Sequence, residues 1–175
     1  MAFGKAVGPC GDSSSRIVLV GEAPGATEIR EEQPFRGPAG DILWEAVAKA
    51  GLRQDELFVV NSVACIPFDP SRERVKPPSR DAVRACHDRL GRDLGAGQQR
   101  VLVALGRTAV LALTGCRDYP VTNPPDRFLR SEWGPVIPAV HPGWVMRSKK
   151  ARQPLLVASL DMARSAPWPS VNCTS

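Results

Sequence analysis

No apolar run in these 175 residues approaches the roughly 18 that a membrane-spanning helix requires. The opening stretch, Met1-Ala-Phe-Gly-Lys-Ala-Val-Gly, has no long apolar core of a secretory signal, so a cytoplasmic protein without a membrane partner is expected. The five cysteines (Cys10, Cys65, Cys86, Cys116 and Cys173) include no CxxC pair. An odd number at wide spacing argues against the disulfide framework of a small secreted domain and leaves reduced, buried thiols as the expectation. The chain has no internal repeat, no low-complexity tract, no Gly-Lys-Ser/Thr phosphate loop and no GxGxxG fingerprint. Histidine is scarce: His87 and His141 are the only two.

What is present fits one globular domain over residues 1–175, loose at 1–15 and 167–175. Such a length buries about two thirds of the unfolded surface without covalent staples. The net charge of +5 suits a polyanionic partner such as nucleic acid, although arginine-rich composition alone also produces it.

Four short apolar runs do not alternate with polar residues: Ile17–Val20, Leu57–Val60, Val101–Leu105 and Val136–Val140. Runs of this kind fit strands covered on both faces, as in a parallel sheet. Pro138 demotes the fourth toward an edge. Helical spacing joins Ile42, Leu43, Ala46, Val47 and Ala50 ahead of a Gly51 cap, and Ser79 is placed to cap a helix through Val83, Cys86 and Leu90. Thr108–Leu113 and Leu155–Arg164 supply two more helices. Tyr119–Gly134 reads as an irregular connection. The expected fold class is α/β, a three-layer α/β/α sandwich around a central parallel sheet of about four strands.

Ligands of such sheets bind at the carboxyl ends of the strands. The segments leaving those ends are Gly21-Glu22-Ala23-Pro24-Gly25, Asn61-Ser62, Gly106-Arg107 and His141-Pro142. The first is a tight loop whose backbone N–H groups can face a ligand oxygen, or an ordinary strand-to-helix turn. Phe35, held between Pro34 and Gly37, is an aromatic platform for a base or a plain core residue. Asn61 offers a donor and an acceptor to one edge of a pyrimidine, or caps a turn. His141 can stabilise developing negative charge by donating a hydrogen bond, or is an ordinary hydrogen-bonded histidine.

Together these residues resemble the uracil-DNA glycosylase superfamily, nearest its family 4 (thermophile-type) branch and the phage and actinobacterial relatives of that branch. The resemblance runs from Ile17 to Arg147. It is carried by Val20–Gly25, Pro34-Phe35 with Gly37 and Ala39-Gly40, Val60–Cys65, Leu105-Gly106 and His141-Pro142, with 14 positions from Gly21 to Phe35. It implies hydrolysis of the N-glycosidic bond of a flipped-out deoxyuridine during base excision repair. Gly21, Ala23, Pro24 and Gly25 would hold the base, Phe35 would stack on it and Asn61 would select uracil. Glu22 would position water, His141 would face O2 of the base, and Arg147, Lys149 and Lys150 would grip phosphates. A monomer acting on uracil-containing DNA, with no obligate protein partner, is expected.

Three departures qualify this picture. Ala23 stands where family 1 members carry an aspartate, so Glu22, with Glu28 behind it, is the candidate general base. Family 4 members hold a [4Fe-4S] cluster. Cys65 and Cys86 match two of its ligands, but Cys10 has no CxxC partner, so no cofactor is the first expectation and a cluster on Cys10, Cys65 and Cys86 the second. Some actinobacterial relatives crosslink to the sugar through a histidine whose place Val75 holds here, so turnover or simple binding is expected. Two alternatives stay open: a non-catalytic uracil- or DNA-binding homologue, and a glycosidase acting on free nucleosides or nucleotides.

Overall fold

The computed structural model describes residues 5–65, 68–69, 74–75, 77–95, 100–123 and 125–166, the pairs 68–69 and 74–75 by backbone alone. Its strands are β1 (Cys10–Gly11), β2 (Ile17–Gly21), β3 (Leu57–Asn61), β4 (Phe68–Asp69), β5 (Arg74–Val75), β6 (Val101–Leu105), β7 (Leu129–Ser131) and β8 (Gly134–Ala139). Its helices are α1 (Ala26–Glu31), α2 (Pro38–Lys49), α3 (Arg80–Ala85), α4 (His87–Leu94), α5 (Arg107–Thr114), α6 (Pro142–Arg147) and α7 (Gln153–Arg164).

Six strands form one sheet in the order β1-β3-β2-β6-β8-β7, and β4 and β5 pair as a separate antiparallel ribbon. The four long strands β3, β2, β6 and β8 run parallel. They coincide with the four apolar runs of the sequence. Each run is continuous because both faces of each strand are covered. Ile17, Leu19, Val103 and Leu105 face a layer that contains α2, α6 and α7, whereas Val18, Val20, Leu102 and Ala104 face residues of α4 and α5. This is the expected three-layer sandwich.

The sheet is wider than four strands. The short antiparallel strands β1 and β7 flank it, from segments whose glycines and polar residues suggested only a loose lead-in and an irregular connection. The strand that contains Pro138 is therefore not the outermost. β7 pairs only with Gly134–Val136, however, so Pro138 lies beyond it. The Pro138 carbonyl accepts a hydrogen bond from Ser159 Oγ of α7 at 3.2 Å, while the next carbonyl, of Ala139, accepts from the Gly106 N–H on the β6 side. In a strand the N–H and C=O of one residue point to the same side. The proline's missing N–H thus removes no bond from the β6 ladder.

The segment capped by Ser79 is two helices rather than one. Ser79 Oγ accepts from the Ala82 N–H as expected, but Cys86, at φ −92° and ψ −2°, separates α3 from α4. The tail 167–175, Cys173 and Lys76 lie outside the described residues. No helix among the described residues is long and apolar enough to cross a membrane.

From β2 the chain moves outward to β3, then crosses back to β6 on the other side of β2. The loops leaving β2 and β6 therefore diverge, and a crevice opens above the carboxyl ends of those two neighbours.

Candidate active site

The crevice is assembled around the end of β2. Gly21 pairs in register with Asn61 of β3. The loops beyond are bonded together: the Ser62 N–H and Ser62 Oγ donate to the Gly21 carbonyl at 2.9 and 2.7 Å, and the Val63 N–H donates to the Glu22 carbonyl at 2.9 Å. From the other side Arg89 Nη2 donates to the carbonyls of Asn61 (2.6 Å) and Ser62 (2.9 Å), while Arg89 Nη1 is paired with Asp93 at 2.5 Å. The backbone beneath Asn61 is thus fixed from two directions. Its side-chain amide, on a residue that is 4% exposed, meets no hydrogen-bonding partner among the described residues.

Gly21 is the residue on which Asn61 and Phe35 converge. A Cβ there would overlap Asn61 Oδ1 and lie 2.6 Å from Phe35 Cζ. Any side chain larger than a hydrogen would push the amide and the ring apart. Phe35 itself takes φ +55°, a left-handed conformation that costs a non-glycine residue of order 1–3 kcal/mol. Two contacts hold it there. Trp44 Nε1 donates to the Phe35 carbonyl at 3.0 Å, and Gly40 lies so close beneath that carbonyl that a Cβ would collide with it.

A cavity of about 310 Å³ opens over this group. Glu22, Ala23, Gly25, Phe35, Asn61 and His141 line it, as the sequence led us to expect. Glu28, expected behind Glu22, lines it as well, and so do Thr27, Ala39 and Met146, which were not singled out as site residues. Gly21 and Pro24 are buried and do not line it; they shape the loop from below. Nor is every loop N–H free for a ligand, because Gly25 N–H donates to Glu28 Oε2 at 3.0 Å. That bond ties Glu28 into the start of α1.

His141 caps α6, its Nδ1 accepting from the Gly143 N–H at 3.1 Å. A neutral imidazole that accepts at Nδ1 carries its proton on Nε2, so Nε2 is left as a donor. Burial pushes the His141 pKa below its ordinary value; Glu22 pulls it up, Arg147 presses it down and Glu28 pulls it up, and burial prevails. The ring is therefore neutral at physiological pH. Glu22 is held across the crevice by Thr108 of α5, whose Oγ1 donates to Glu22 Oε2 at 2.6 Å.

A second cavity, of about 900 Å³, adjoins the first, and Glu22 and His141 line both spaces. Arg107, Thr108, Tyr119, Trp144 and Arg147 line this groove. Of the three cations expected to meet phosphate, only Arg147 is among its lining residues. Lys149 is exposed, and Lys150 Nζ is paired with Glu45 Oε2 of α2 at 2.5 Å. Lys150 first and Lys49 second hold the Glu45 carboxyl down to about 2. Arg107 was not singled out, although the segment Gly106-Arg107 was placed at a strand's carboxyl end.

The four described cysteines are free thiols. Cys10 is on the edge strand β1, Cys65 follows β3 and Cys86 separates α3 from α4. Among the described residues no three His, Cys, Asp or Glu side chains gather where a metal ion could be held. The thiolate set of an iron–sulfur cluster is not assembled by them, and no chemical step follows through one.

Comparison with known proteins places the arrangement in context. The description "uracil DNA glycosylase superfamily" matches residues 9–162. A type-4 uracil-DNA glycosylase of Pyrobaculum aerophilum is 37% identical over 103 residues, 59% of this chain and 50% of that protein. One of Archaeoglobus fulgidus is 36% identical over 113 residues, 65% of this chain and 54% of that protein. One of Thermotoga maritima is 32% identical over 143 residues, 79% of this chain and 70% of that protein. The chain thus spans about half the length of the first two.

Proposed function

Because this chain belongs to the uracil DNA glycosylase superfamily and is similar to its type-4 members, we propose that it hydrolyses the bond between uracil and deoxyribose in DNA. One observation carries the reading. Two cavities of different character, about 310 and 900 Å³, meet at a wall made by Glu22 and His141. A nucleotide placed across that wall puts its base in the smaller space and its sugar and phosphates in the larger. The bond to be broken then lies between an acid–base pair. A free nucleoside would use the smaller cavity and leave the groove beside Arg107 and Arg147 without a role, which favours a DNA strand as substrate.

The residues divide the work as follows. The uracil ring lies on Phe35. Asn61 meets its N3–H and O4, the edge that separates it from cytosine. As the C1′–N1 bond breaks, its electron pair moves onto the base, and negative charge grows on O2. His141 Nε2–H donates to that oxygen; a neutral donor fixed before the reaction stabilises the leaving anion without reorganisation. Water held by the Glu22 carboxylate adds to C1′, and its proton leaves through Glu22. The products are free uracil and an abasic site. Extruding the base costs a few kcal/mol, which contacts to the strand offset.

The test is release of uracil from a labelled oligonucleotide with one deoxyuridine, single- and double-stranded, followed by alkali. Scission with the wild type at enzyme excess is the expected result; none on either strand form overturns the proposal.

Gly21→Ala supplies a second check on the same site. The added methyl overlaps Asn61 Oδ1 and approaches Phe35 Cζ within 2.6 Å, so the amide and the ring are displaced together. Affinity for free uracil, measured by calorimetry, is expected to fall about tenfold or more, the effect of 1.4 kcal/mol or above. Unchanged affinity would remove Phe35 and Asn61 from the base site.

A further inference from the structure

The 900 Å³ groove is about three times the volume of the base cavity and larger than one sugar needs. Arg107 of α5 and Arg147 of α6 line it, both exposed, neither within ion-pair distance of a carboxylate among the described residues. Lys49, Lys150, Arg89 and Arg164, by contrast, are each committed to an acidic partner. The segment Asp118–Thr122 lines the same groove. Tyr119, the only tyrosine of the chain, is half-buried there, and together with Val121 it packs against the apolar layer that contains α5. The ring is anchored from behind while it lines the groove. Two guanidiniums without a carboxylate partner among the described residues, in one groove with an anchored aromatic ring, suit a ligand with both phosphate and a flat ring.

We propose that this groove is a second nucleotide subsite: the base adjoining the target uracil in the same strand stacks on Tyr119, and the phosphate between the two nucleotides lies between Arg107 and Arg147. Asp118, the carboxylate beside Tyr119, faces the edge of the stacked base, where an exocyclic amino group can donate to it. The subsite gives the protein a minimal substrate of two nucleotides and a preference for strands whose neighbouring base is present and unstacked. It rests on the glycosylase reading of the Glu22–His141 wall.

The experiment uses trinucleotides centred on 2′-fluoro-deoxyuridine, whose fluorine resists cleavage. The flanking base is replaced by an abasic tetrahydrofuran spacer on the 5′ side, the 3′ side or both, and affinity is read by fluorescence anisotropy. For the wild type, loss of the base on one side is expected to weaken binding about 5- to 150-fold, the range of base-on-aromatic stacking. Tyr119→Ala should be indifferent to the spacer, while Tyr119→Phe, which keeps the ring and its packing, should behave as the wild type. Arg107→Gln should weaken every strand by a similar factor and lower the slope of log affinity against log salt by about 1. Wild-type binding that ignores the spacer on both sides, or Tyr119→Phe that loses the discrimination, overturns the subsite. Single-turnover uracil release from the unfluorinated strands separates the two claims. Release without dependence on the flanking base defeats only the subsite; no release defeats the glycosylase reading itself.

Discussion

Asn61→Ala is expected to lower single-turnover release of uracil by about 10²- to 10³-fold while leaving the fold intact. The magnitude follows from what the substitution strands. Asn61 is 4% exposed, and among the described residues its amide has no protein partner. Its hydrogen-bonding capacity is therefore available to the base. With alanine, N3–H and O4 of uracil lose their partner in the cavity, at about 1–3 kcal/mol for each group. The protein's own loss is small, because no side-chain bond to the described residues is broken and the backbone carbonyl still accepts from Arg89. A change of melting temperature of no more than a few degrees is expected beside the large kinetic effect. Asn61→Asp sharpens the test. A carboxylate accepts only, so it opposes O4 of uracil but matches the amino group of cytosine. Uracil release should fall as far as in Asn61→Ala, and slow release of cytosine should emerge. Release by Asn61→Ala within tenfold of the wild type would show that the base is selected elsewhere.

The legible part of this fold was the part whose physics is local. Ile17–Val20, Leu57–Val60 and Val101–Leu105 announce doubly covered strands because no polar residue interrupts them, and the parallel order follows from the helical segments between them. Strands β1 and β7 were not legible. Two and three residues beside glycines and prolines carry no periodicity, and their pairing is decided by the neighbour that is already in place. The break at Cys86 was hidden for the same reason, since the apolar spacing continues through it.

The site divides in the same way. Glu22, Phe35, Asn61 and His141 could be found from their positions at strand ends and from the resemblance they carry, and the structure gathers all four around one cavity. The groups that hold them could not. Thr108 reaches Glu22 across 86 positions and Arg89 reaches Asn61 across 28, contacts that exist only once the sheet is formed. Lys150 illustrates the converse. Its charge beside Arg147 suggested phosphate, but Glu45, 105 positions away, stands close enough to take it. Gly21 was read as a residue that holds the base; what the structure adds is the space it leaves for Asn61 and Phe35, which a Cβ would fill.

His141→Ala should lower the single-turnover rate by about 10²- to 10³-fold, the usual cost of losing one fixed donor to a developing anion. His141→Gln, which retains an N–H at a similar reach, should recover part of it. The pH dependence discriminates further. The working form is the neutral ring with its proton on Nε2, because Nδ1 accepts from Gly143 N–H. Burial keeps the folded pKa below the ordinary value of about 6.5, so the rate should remain level as pH falls through 6.5 and decline only below it. Arg147 contributes to that depression. Arg147→Gln removes a positive charge from the ring's surroundings, raises its pKa and should move the acid limb to higher pH. Stability obeys the same linkage. Above pH 6.5 neither the folded nor the unfolded chain protonates this ring, and it adds no pH dependence. Below 6.5 the unfolded chain takes up the proton first, so the melting temperature falls until the folded pKa is reached. His141→Gln should remove this component of the melting profile. An acid limb that Arg147→Gln leaves in place, together with a melting profile that His141→Gln leaves unaltered, would show that His141 does not act as a buried neutral donor.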